Sequence, residues 1–88
     1  MDPKATLQTF LATTEPNERR EFARYFNEWI DHGGFRPGIQ LHPATDRWMM
    51  GDRFGVATKA LRNGNVRVRM DRSGKVLSIR PENILEVL

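Results

Sequence analysis

The chain has 88 residues, 39% apolar and 28% charged, a balance that suits one small folded domain and leaves no room for a second. No apolar run exceeds three residues, Trp48-Met49-Met50 included, and Cys is absent. No membrane span, secretory leader, disulfide or thiolate site is therefore expected, in keeping with a cytoplasmic protein. The formal charge of +3 is unevenly spread: residues 1–34 hold four Lys/Arg against six Asp/Glu, and residues 35–88 hold ten against five. A basic half of this kind points to a polyanion partner.

Asp2-Pro3 reads as a helix start, with a carboxylate at the cap and Pro in the first turn. Leu7, Phe10 and Leu11 follow at helical spacing, and Thr13-Thr14 with Pro16 interrupt them. A second helix begins near Glu15-Pro16, with acids in its first turn where the helix dipole favours them. Phe22, Tyr25, Phe26, Trp29 and Ile30 fall on one face and are expected to pack as core. Gly33-Gly34 ends the helix, since Gly accepts the left-handed cap conformation. The helical pair thus spans 3–34, with helices over 3–13 and 15–32. Residues 35–46 read as a linker, because Arg36-Pro37-Gly38 and His42-Pro43 are turn signals. Ile39 and Leu41 would anchor it.

From Trp48 onward the pattern is that of strands. Trp48-Met49-Met50 is taken as the first, and Arg53 to Leu61 as the second. Asn63-Gly64 predicts a tight type I′ hairpin turn. Val66, Val68 and Met70 alternate with Arg67 and Arg69, so the apolar set faces inward and the arginines outward. Asp71-Arg72-Ser73-Gly74 is a second turn, Lys75 to Arg80 a further strand, Pro81-Glu82-Asn83 a single 3₁₀ turn, and Ile84 to Leu88 a closing strand.

Gly51-Asp52-Arg53-Phe54-Gly55-Val56-Ala57, the Asn-Gly hairpin and Val66-Arg67-Val68 together resemble SH3-like small barrels of the KOW type. Ile79-Arg80-Pro81-Glu82-Asn83-Ile84-Leu85 is similar to the 3₁₀ turn and final strand of SH3 domains. The resemblance covers roughly residues 48–88. It implies an α+β protein: an N-terminal helical pair packed on a C-terminal five-stranded SH3-like β-barrel over 47–88, all within one domain. It also implies a binding module for nucleic acid, protein or peptide. After Phe54 no aromatic residue follows, which argues against proline-rich ligands.

Catalytic chemistry finds little purchase. Asp31, His32, His42 and Asp46 match no metal-ligand spacing. Ser73 and Ser78 have no neighbouring His, and Asp46, Asp52 and Asp71 each precede an Arg that would keep them ionised. Met50-Gly51-Asp52-Arg53 is similar to a segment of the plasmid-borne type II dihydrofolate reductases. Leu77-Ser78-Ile79-Arg80, however, lacks the Gln and Tyr of their pore motif. No enzyme activity, metal or cofactor is expected. The expected function is weak, backbone-directed nucleic-acid binding through a basic barrel face. Its residues are Arg67 and Arg69, with Lys59, Lys75 and Arg80 on flanking strands, Arg53 and Arg72 at strand ends, and Trp48 as a stacking ring. The alternative is a protein-interaction or adaptor module using the barrel edge or the helical face, as a monomer or weak homodimer.

Overall fold

The computed structural model describes residues 2–88. α1 (Pro3–Ala12) starts where the Asp2 carboxylate accepts from the Lys4 N–H at 3.0 Å. α2 (Pro16–Asp31) starts where Glu15 accepts from the Asn17 and Glu18 N–H groups at 3.0 and 2.8 Å. In both helices Pro occupies the first turn, where its missing N–H costs nothing. α2 stops in a double cap: Gly33 N–H donates to the Ile30 carbonyl and Gly34 N–H to that of Trp29, at 3.0 and 2.9 Å. His32 adds to it, its Nδ1 donating to the Glu28 carbonyl at 2.7 Å.

The rest is β1 (Gly38–Leu41), α3 (Asp46–Met49), β2 (Phe54–Ala60), β3 (Val66–Met70), β4 (Val76–Ile79), a 3₁₀ turn (Pro81–Asn83) and β5 (Ile84–Val87). The strands form one antiparallel sheet in the order β4-β3-β2-β1-β5. The fold is therefore α+β, two long helices with a five-stranded antiparallel sheet.

Three expectations are corrected. Residues 35–46 are not a linker: they hold β1, which pairs with both β2 and β5. Trp48-Met49-Met50 is not a strand. Thr45 caps a short helical turn there, its hydroxyl accepting from the Trp48 N–H at 3.3 Å and its carbonyl from the Met49 N–H at 3.4 Å. The barrel does not close. No ladder joins β4 to β5 among the described residues, and the sheet is open. The physical reason lies in the helices. Leu7, Phe10, Ala23, Phe26 and Ile30 cover the apolar sheet face, so the sheet need not curl onto itself to bury it.

The β2–β3 connection also differs from the expected type I′ turn. Asn63 has negative φ, and only Gly64 is left-handed, at φ +95°. Gly64 N–H donates to the Leu61 carbonyl at 3.0 Å and Leu61 N–H to that of Asn65 at 2.9 Å. This is a three-residue loop with glycine in the left-handed position, the next commonest hairpin solution.

One apolar cluster joins helices and sheet. Ile39, Leu41, Ala57, Ala60, Val66, Val68, Met70, Ile79 and Val87 supply the sheet side. Each fully buried large side chain in it contributes about 1.5–3 kcal/mol. Phe22 and Trp29 pack at its margin, but Tyr25, expected on the same face, does not join it: its hydroxyl donates to Glu21 and Arg24 lies over its ring. Trp29 sits so close to Gly34 that a Cβ there would lie 2.0 Å from its indole nitrogen. That nitrogen is buried without a hydrogen-bond partner among the described residues.

Candidate nucleic-acid interface

β3 alternates as its sequence demands: Val66, Val68 and Met70 are buried, Arg67 and Arg69 exposed. Register places Lys59 of β2 opposite Arg67, and Val56 opposite Arg69. On the other side Ser78 and Val76 of β4 stand opposite the same two arginines. A bulge in β2 between Ala57 and Lys59 sets this pairing, and Thr58 marks it by donating its hydroxyl to the Arg67 carbonyl at 3.1 Å. Strands lie about 4.8 Å apart, and alternate residues on one strand about 7 Å apart. Lys59, Arg67 and Arg69 thus form a compact cationic trio. The two ion pairs among the described residues, Arg24–Glu21 and Arg47–Asp52, involve none of the three.

The remaining expected residues are not brought into that trio. Arg53 lies 4.8 Å over the Trp48 ring and its Nε donates to the Trp48 carbonyl at 3.3 Å. Trp48 is half-buried, tilted against Phe54 with ring centroids 6.4 Å apart. A base could stack on that face of Trp48 only by displacing Arg53. Arg72 lies across the backbone of Gly51, and Lys75 is exposed in the β3–β4 turn. Arg80 is exposed but lines a different cleft of about 380 Å³, with Arg19, Asn63 and Glu82.

Asp52 is buried, and its partner is Arg47 at 3.9 Å rather than the adjacent Arg53. His42 accepts the Ala44 N–H at its Nδ1 (3.1 Å), a turn role like that of His32 at its helix end. Among the described residues no three His, Asp or Glu side chains gather where they could hold a metal ion, and no helix is long and apolar enough to cross a membrane.

Comparison with protein-family models, curated proteins and solved structures finds no match to this chain. The functional reading therefore rests on the side chains alone.

Three basic residues escape a reading of strand alternation and segment charge. Arg20 and Arg24 project from α2, and Arg62 from the β2–β3 loop, into a groove of about 500 Å³ that Lys59 also lines. Their signal is helical spacing: Arg20 and Arg24 at i and i+4, with Asn27 at i+7. Asn27 holds the groove together. Its amide donates to the Ala60 carbonyl at 2.9 Å and accepts the Ala60 N–H at 2.8 Å. Two acids, Glu21 in α2 and Glu15 at its cap, have hydrogen-bond partners of their own. Glu21 accepts from the Tyr25 hydroxyl at 2.9 Å, which holds the Tyr25 pKa above its ordinary value. Glu15 is held below the usual carboxylate range by the Asn17 and Glu18 N–H groups.

Proposed function

We propose that this protein is a non-enzymatic binding module that holds the phosphate backbone of nucleic acid, weakly and with little sequence preference. The observation that carries this is the trio Lys59, Arg67 and Arg69: exposed, adjacent by register and free of carboxylate partners among the described residues. Guanidinium groups meet phosphate in a forked geometry and need no base contact to do so. Val56, Val76 and Ser78 beside them offer little with which to read a base edge. A cytoplasmic setting suits the reading, since the cysteine-free chain needs no oxidising compartment.

Two to four phosphate contacts predict a slope of log K against log salt of about −2 to −4 on duplex DNA, with micromolar or weaker affinity. Arg67→Ala with Arg69→Ala should reduce that slope by about 2. The fold should survive, because both side chains are exposed. Titrating a mixed-sequence duplex at two salt concentrations decides it. Equal binding by both proteins removes the sheet face from the reading, and binding of neither this duplex nor a single strand of the same sequence by the wild type removes nucleic acid.

A second reading, a protein-interaction module, is favoured by one feature. Met49 and Met50 are 78% and 67% exposed, beside the half-exposed Phe54. β4 and β5 also leave free sheet edges near exposed Val76 and Leu85. A contact of that kind would be nearly indifferent to salt, which separates it from the first reading.

A further inference from the structure

We infer that the groove between α2 and the end of β2 seats the sugar-phosphate backbone of a single-stranded nucleic acid, which then continues onto the sheet face. The inference rests on the phosphate-binding reading above and deepens it. Arg20, Arg24, Lys59 and Arg62 line the groove, and no carboxylate does. Arg24 is partly committed, 4.0 Å from Glu21 and lying over the Tyr25 ring. Arg20, Lys59 and Arg62 have no ion pair among the described residues. Glu15, whose charge interacts with that of Arg20, spends both carboxylate oxygens on the α2 N-terminus.

The groove is built rather than incidental. The paired Asn27–Ala60 hydrogen bonds fix α2 against the β2 backbone at its floor. Cations on the helix therefore face cations on the strand and loop across a set gap. Like charges held this way repel, and a polyanion between them relieves the repulsion. Shape selects the kind of polyanion. A concavity of about 500 Å³ suits a single strand, whereas a duplex is a stiff convex rod whose phosphates meet protruding side chains. Lys59 belongs both to the groove and to the trio with Arg67 and Arg69. A flexible strand can pass from one to the other around this residue, whereas a duplex follows it only at a bending cost.

The test is fluorescence anisotropy with a short labelled oligo(dT) and, separately, a labelled duplex, at two salt concentrations. The proteins are the wild type, Arg20→Gln/Arg62→Gln, Arg20→Lys/Arg62→Lys and Arg67→Ala/Arg69→Ala. The glutamine pair should weaken oligo(dT) binding about tenfold or more at low salt and reduce its salt slope by about 1.4, two contacts at about 0.7 each. Its duplex binding should stay within about twofold of wild type, since the duplex does not enter the groove. The lysine pair, which keeps the charge, should bind oligo(dT) nearly as the wild type does. Oligo(dT) binding by the glutamine pair equal to wild type, or an equal loss of both ligands, overturns the groove. If the Arg67/Arg69 pair alone weakens binding, the sheet-face reading stands and the groove falls. If the wild type binds neither ligand, the reading of function falls and takes the groove with it.

Discussion

β1 and β3 lie on either side of β2, and both send buried apolar side chains into the same cluster. β3 announces itself: five strictly alternating residues between two turns. β1 does not. Its four residues, Gly-Ile-Gln-Leu, sit between Pro37 and Pro43 in a segment whose local chemistry is that of a turn. What makes β1 a strand is tertiary. β2 and β5 each present an open backbone edge, and Ile39 registers with Gly55 on one side and Val87 on the other. Ile39 and Leu41 end up as buried as Val66 and Val68. β1 alternates too, burying Ile39 and Leu41 between Gly38 and Gln40, but four residues are too few for the pattern to prevail over the turn signals on either side.

The largest expected effect tests whether β1 is a structural equal of β3. Ile39→Ala should cost about 2–5 kcal/mol, since the side chain is fully buried and its removal leaves a cavity. Leu41→Ala should behave alike, and both should match or exceed Val68→Ala. Urea unfolding of the three variants measures this directly. A loss near zero at Ile39 and Leu41 would return residues 35–46 to the status of a linker.

The same contrast between local and tertiary signals explains what the sequence could reveal about the candidate site. Arg67 and Arg69 are legible because a strand of period two leaves them no choice but to face outward. Lys59 is legible as a cation on the next strand, although its pairing with Arg67 depends on a bulge that no residue pattern announces. Trp48 and Arg53 come together in a way that strand alternation does not announce, the guanidinium lying over one face of the ring. Arg20 and Arg24 are missed because an averaged helix charge hides which stripe carries the cations. Barrel closure is misjudged because strand signals say nothing of whether helices or strands will cover the apolar face.

β2 offers a sharper comparison along a single edge. Its first half, Phe54 to Val56, is covered by β1. Its last residue, Ala60, is covered instead by the side chain of Asn27, which supplies one donor and one acceptor as a paired strand would. Asn27→Ala should cost about 1–3 kcal/mol, because it strands a partly buried N–H and C=O together. Asn27→Asp, which can still accept but no longer donate, should fall between. Thermal unfolding of the two variants places them in order. If Asn27→Ala is as stable as the wild type, water replaces the amide and the groove floor is not fixed by it.

The smallest expected effect lies at the start of α2, where the local signal is complete and tertiary packing plays little part. Glu15 is exposed, and its carboxylate accepts from the Asn17 and Glu18 N–H groups. Those two bonds favour the ionised form and lower its pKa in the folded protein relative to the unfolded chain. The stabilisation they give is therefore fully present above the unfolded carboxylate pKa and is lost as the pH falls through the lower folded value. Glu15→Gln keeps one acceptor but cannot titrate. Its melting temperature should lie slightly below wild type at neutral pH, and the gap should close as the solution is acidified into and below the carboxylate range. β1 carries no ionisable residue, so Ile39→Ala should show no such convergence: its deficit should persist at both ends of the pH scan. A Glu15→Gln deficit that stays constant with pH would mean that the carboxylate acts there as a neutral acceptor does, through hydrogen bonding without its charge.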